Sequence, residues 1–80
     1  MPASDFSIDG LVIRVRESGD NDRLVTILTK ERGRLTFMAK GARSLRCRYM
    51  PACNPYVFAS YALHAKGTGF WLREATVTES

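Results

Sequence analysis

Arg23-Leu24-Val25-Thr26-Ile27-Leu28-Thr29-Lys30-Glu31-Arg32-Gly33-Arg34-Leu35-Thr36-Phe37-Met38-Ala39-Lys40 is the stretch that decides the fold. Its first seven residues are rich in β-branched side chains: Val25, Thr26, Ile27 and Thr29. Such residues suit a pleated, half-buried surface. Lys30-Glu31-Arg32-Gly33 follows as a tight turn, with Gly33 supplying a positive φ. From Arg34 to Lys40, Leu35, Phe37 and Ala39 alternate with Thr36, Met38 and Lys40. Period-two alternation on both sides of a glycine turn predicts a β-hairpin.

The same period extends in both directions. Upstream, Phe6–Glu17 reads as a first strand, with Leu11, Ile13 and Val15 on the inner side and Arg14 and Arg16 on the other. The turn formers Ser18-Gly19-Asp20-Asn21-Asp22 close it. Downstream, Tyr56–Ala65 reads as a fourth strand, with Val57, Ala59, Tyr61, Leu63 and Ala65 on one side and Tyr56, Phe58, Ser60, Ala62 and His64 on the other. Lys66-Gly67-Thr68-Gly69 is a second glycine turn, and Phe70–Thr78 a fifth strand. Only 41–50 breaks the pattern. Pro51 and Pro55 discourage a long helix there, so it reads as a basic loop with one short helical turn. Five short strands in 80 residues predict an all-β barrel or sandwich in one domain. The long connection between strands three and four suits the OB-fold, a five-stranded Greek-key barrel. An SH3-like barrel fits the strand count nearly as well.

Charge is distributed unevenly along this frame. Seven of the twelve basic residues lie between Lys30 and Arg48, opposed only by Glu31. The remaining five basic residues face seven acidic ones. A local block of six net positive charges thus sits on a slightly acidic body. A charge run is usually a solvated loop, but clustered cations on a β scaffold also suit a polyanion, whose counterions they release. Lys40, Arg43, Arg46 and Arg48 fall along one connection, and Lys30, Arg32 and Arg34 decorate the hairpin before it. Arginine contacts phosphate in bidentate fashion. Arg14 and Arg16 lie outside the block and serve as its reference. Single-strand binding adds aromatic platforms. Tyr49 is interleaved with the arginines and is the first choice. Trp71 is the second, because Arg73 projects to the same face. Phe37, Phe58 and Tyr61 are assigned to the core, and His64 to the surface or rim.

Other function classes find little support. No carboxylate pair, triad or metal constellation appears, which predicts no enzyme, no metal and no cofactor. Cys47 and Cys53 lack the spacing and partners of a zinc site and read as two reduced thiols. There is no apolar run of membrane length and no secretory signal, so the expected location is the cytoplasm.

The ordered series Asp9-Gly10-Leu11-Val12-Ile13-Arg14, Asp22–Thr29, Arg32-Gly33-Arg34, Ala39-Lys40-Gly41-Ala42-Arg43, Tyr49-Met50-Pro51 and Asn54-Pro55-Tyr56 resembles the N-terminal OB domain of the RecO family of bacterial DNA repair proteins. The likeness runs from about Ile8 to Glu79, and its most specific piece is Lys40-Gly41-Ala42-Arg43. It implies binding of single- and double-stranded DNA, annealing of complementary strands, and action with RecR in loading RecA onto DNA coated by the single-stranded DNA-binding protein SSB. RecO proteins continue into a larger, mainly helical domain, often with a metal-binding cysteine cluster. Residues 1–80 therefore read as one OB domain from the N-terminal part of a longer protein. Two other readings stand beside DNA binding: an RNA-binding OB module, and a barrel that docks an acidic partner segment.

Overall fold

Strands form where the alternation is strongest, and they close on one another. A computed structural model of the protein describes residues 5–19, 21–40 and 50–79. Its five strands are β1 (Asp5–Ser18), β2 (Asp22–Thr29), β3 (Gly33–Ala39), β4 (Phe58–Lys66) and β5 (Gly69–Glu79). A 3-10 turn, Met50–Cys53, lies between β3 and β4. The strands close into a barrel in the order β1-β2-β3-β5-β4. This is the all-β, five-stranded arrangement expected of an OB-fold. No helix among the described residues is long and apolar enough to cross a membrane.

Closure depends on the length of β1. Its first half pairs with β4, from Asp5↔His64 to Leu11↔Phe58. Its second half pairs with β2, from Leu11↔Leu28 to Ser18↔Asp22. A single strand thus belongs to both sides of the sheet, which must coil to satisfy it. Gly10 sits where this coiling brings backbone against side chain. A Cβ there would lie 2.8 Å from Ile27 Cδ1 and 3.0 Å from Ile27 Cβ. The last seam is parallel, with Met38 of β3 opposite Trp71 of β5. The turns behave as their glycines require: Gly33 and Gly67 take φ of 66° and 62°.

The interior is mostly apolar, with Thr29 the buried polar residue among those described. Val12, Val25, Ile27, Phe37, Tyr61 and Leu63 are all buried, and the Phe37 and Tyr61 rings pack at 5.1 Å. The Tyr61 hydroxyl donates to the Ala52 carbonyl at 2.5 Å, tying the 3-10 turn to the barrel. Burial pushes the Tyr61 phenol well above its ordinary pKa, with neighbouring Cys53 adding to the shift. Cys53 is a fully buried thiol. Cys47 lies outside the described residues.

Three sequence expectations fail locally. In β1 the inner residues are Ile8, Gly10 and Val12, not Leu11 and Ile13, while Val15 packs against the core as expected. The register shifts between Val12 and Arg14, so Ile13 is the extra residue of a β-bulge and is 37% exposed. The bulge reverses which parity faces inward. Phe58, assigned to the core, faces outward and is 39% exposed. The fourth strand begins at Phe58, two residues later than expected. Tyr56 instead takes a left-handed φ of 68° with its side chain 78% exposed. Its N–H donates to Val12 O at 2.8 Å, and Val12 N–H donates to Val57 O at 2.9 Å.

Candidate nucleic-acid interface

Pairing registers place residues from all five strands in one row across the outside of the barrel. Arg16 lies opposite Leu24, Leu24 opposite Met38, Met38 opposite Trp71, and Trp71 opposite His64. The inner residues of β2 and β3 are Val25, Ile27, Leu35, Phe37 and Ala39, so the residues between them point outward. A parallel row runs beside the first. Arg14 opposes Thr26, and Thr26 opposes Thr36. The two threonine hydroxyls hydrogen-bond at 2.8 Å. Leu24, Thr36, Met38 and Trp71 together line a shallow groove on this face.

At one end of the row the groove opens into a cleft of about 460 Å³ lined by Lys40, His64, Lys66, Trp71 and Arg73. Lys40 directly follows β3, and its Nζ sits 5.5 Å from the centroid of the Trp71 ring. Lys66 ends β4 beside the second glycine turn. Arg73 sits at a second irregularity. The register between β4 and β5 shifts between Ala62 and Leu63, which pair with Glu74 and Leu72 and leave Arg73 as the extra residue. Asp5 closes the arrangement at the rim. His64 Nδ1 and Arg73 Nη1 lie 2.5 Å and 2.6 Å from its two carboxylate oxygens. The hydrogen bond from His64, helped by the Arg73 charge, holds the Asp5 carboxyl below its ordinary pKa.

The structure therefore redistributes the basic residues singled out in the sequence. Lys40, Trp71 and Arg73 come together in one cleft. Arg43, Arg46, Arg48 and Tyr49 lie outside the described residues. Lys30, Arg32 and Arg34 are exposed on the β2–β3 hairpin and do not line the cleft. The Arg32 guanidinium instead stands over the Phe6 ring at 4.3 Å, and Phe6 meets Phe70 edge to face at 5.5 Å. Lys30 lines a separate groove with Asp9, Leu28, Glu31 and Phe58. Lys30 and Lys40 flank opposite ends of a seven-residue strand, about 20 Å long.

Lys66 lines the cleft without having been singled out in the sequence, and Arg14 and Arg16, taken there as reference residues outside the basic block, stand opposite Thr26 and Leu24 on the same outer face. All three are scattered in the chain, so no charge run marks them. The signal available was the outward parity of each strand next to the Met38–Trp71 seam, and that seam is a long-range pairing which no local pattern announces.

The family described as Recombination protein O N terminal matches residues 1–80. A DNA repair protein RecO from Desulfitobacterium hafniense (strain DSM 10664 / DCB-2) is 39% identical over 59 residues, 74% of this chain and 22% of that protein. The RecO of Anaeromyxobacter sp. (strain Fw109-5) is 45% identical over 51 residues, 64% of this chain and 20% of that protein. The RecO of Syntrophobacter fumaroxidans is 34% identical over 71 residues, 89% of this chain and 28% of that protein. The matched part is thus roughly a quarter of each relative. On the whole-length family match and these identities, this chain belongs to the family of recombination protein O N-terminal domains.

Proposed function

We propose that this domain is a DNA-binding module of recombinational repair, taking single strands across the outer face of β2, β3 and β5. The observation that carries this reading is the cleft in which Lys40, Lys66, Arg73 and His64 surround the outward Trp71 ring. An indole platform ringed by cations suits a stacked base flanked by phosphates. Stacking one base contributes roughly 1–3 kcal/mol and tolerates any sequence. From the cleft, the groove over Met38 and Leu24 leads to Arg14 and Arg16, two further phosphate contacts. Phosphate contacts position a strand without reading it, so binding is independent of sequence. Membership in a family whose relatives are named DNA repair proteins supports DNA as the polyanion. The domain acts by binding and has no catalytic residue or cofactor in this reading. Arg43, Arg46, Arg48 and Tyr49 extend the track along the connection after β3, and Lys30, Arg32 and Arg34 give the hairpin a secondary contact with duplex DNA. Annealing, and action with RecR and SSB in loading RecA, belong to the same proposal at the level of the longer protein.

The test is a titration of a fluorescent single-stranded oligonucleotide at several salt concentrations. Four to six phosphate contacts predict a log–log slope of about −3 to −4, with little change between base sequences. Equal competition by RNA would turn the reading toward a general nucleic-acid module. Stronger competition by an acidic peptide would turn it toward protein docking. A salt-independent affinity would contradict a phosphate track of any kind.

A further inference from the structure

Asp5 is an acid at the rim of a cationic cleft, and its geometry is that of a bound anion. One carboxylate oxygen faces His64 Nδ1 at 2.5 Å and the other faces Arg73 Nη1 at 2.6 Å. Both partners line the cleft beside Trp71. Two oxygens of one planar anion, each taking a hydrogen bond from a different cationic or polar donor, is how a phosphate would sit between the same side chains.

We propose that the Asp5 carboxylate is a resident phosphate mimic, which occupies the Arg73–His64 subsite of the cleft in the free protein and is displaced by a backbone phosphate of the incoming strand. The inference rests on the DNA-binding reading above, since it names what one subsite of that site takes and what competes for it.

Three features make the exchange feasible. The pair is open to solvent, with side chains of Asp5, His64 and Arg73 exposed by 52%, 38% and 59%. Exposed ion pairs are weak and are readily replaced. Asp5 is the first residue of β1, and strand ends open at little cost. Arg73 has five N–H donors and gives Asp5 only one atom in the observed contact, so a phosphate can approach before the carboxylate leaves. The groups that face the exchange are Asp5 from β1, His64 and Lys66 from β4, Lys40 from the end of β3, and Arg73 from β5. Four of the five favour an anion. The lowered Asp5 pKa agrees with this, because it keeps the competitor ionised.

The experiment uses Asp5→Asn in the labelled-oligonucleotide titration, with inorganic phosphate as an independent probe. Removing the competitor should tighten DNA binding about two- to fivefold. The salt slope should stay nearly unchanged, because Arg73 meets a phosphate in both bound complexes. The double variant Asp5→Asn, Arg73→Ala should lose the gain in affinity. In parallel, the His64 ring resonances should saturate at a lower inorganic phosphate concentration in Asp5→Asn than in the unsubstituted chain. In the unsubstituted chain, saturation with DNA should return the Asp5 carboxyl titration toward its ordinary range, a readout that needs no variant. Equal or weaker DNA binding by a folded Asp5→Asn, or an Asp5 titration unmoved by bound DNA, overturns the proposal and leaves DNA binding standing. Phosphate sensitivity that rises in Asp5→Asn without any DNA binding would uphold the competition and remove the DNA-binding reading.

Discussion

Two outward faces of this barrel are built alike and charged differently. Across one, Arg16, Leu24, Met38, Trp71 and His64 follow one another from strand to strand. Across the other, Leu28, Leu11 and Phe58 do the same. Each presents apolar side chains to water: Leu28 is 50% exposed and Phe58 39%, while Met38 and Trp71 are half-buried. Around Trp71 stand Lys40, Lys66, Arg73 and His64, with Asp5 as the opposing acid. Around Leu28 and Phe58 stand Asp9, Lys30 and Glu31, with Arg34 opposite Leu28 on β3, and these four charges cancel. An exposed ring attracts a nucleic acid only where the surrounding field is positive. What makes the first face a candidate site is the meeting of cations from several strands, not the density of cations in any stretch of chain.

Both faces hang on one core, so the largest effect should come from breaking that. Tyr61→Phe strands the Ala52 carbonyl in the interior and should cost about 1–3 kcal/mol in urea unfolding. The same residue sets an alkaline limit. The Tyr61 phenol resists ionisation in the fold but ionises near its ordinary pKa of 10.0 once the chain unfolds. Its contribution is therefore complete below about pH 10 and declines above it as the unfolded state gives up its proton. Tyr61→Phe should flatten that alkaline decline.

Next in size is Trp71→Ala, which should weaken single-strand binding by roughly 1–3 kcal/mol and leave folding nearly intact. Arg14→Ala with Arg16→Ala separates the structural account from the charge-block account. If the strand crosses the face to β1, the pair should weaken binding to all sequences and flatten the salt slope by roughly 0.7 per lost contact. If the strand follows the connection after β3 alone, the pair should do less than Arg43→Ala, Arg46→Ala and Arg48→Ala together. The smallest effect belongs to the other face. Leu28→Ser should change DNA affinity by no more than about 0.5 kcal/mol, the usual range for a surface substitution away from a site.

How far the chain could be read in advance follows the reach of each interaction. Local alternation exposed the β2–β3 hairpin, the alternation of β4 and the two glycine turns, because each is set by neighbours a few residues apart. Bulges at Ile13 and Arg73 were not legible. A bulge is an extra residue against a partner strand, and the partner is distant in the chain. The Ile13 bulge is why Val12, not Leu11 or Ile13, fills the core. The site divides in the same way. Lys40 was visible in the basic block, and Trp71 with Arg73 by their shared parity. Lys66, Arg14 and Arg16 became visible only through the seams that bring β1, β2, β3, β4 and β5 around to one another.

Stacking of a base on Trp71 is open to direct measurement, because the chain carries a single tryptophan. Intrinsic fluorescence should be followed while an unlabelled oligothymidylate is added, at the salt used for the labelled-oligonucleotide titration. A stacked base should quench the emission, with the same midpoint as the labelled titration and reversal by added salt. An oligonucleotide that binds while the Trp71 emission stays unchanged in intensity and wavelength would contradict that stacking, and would place the strand on another face of the barrel.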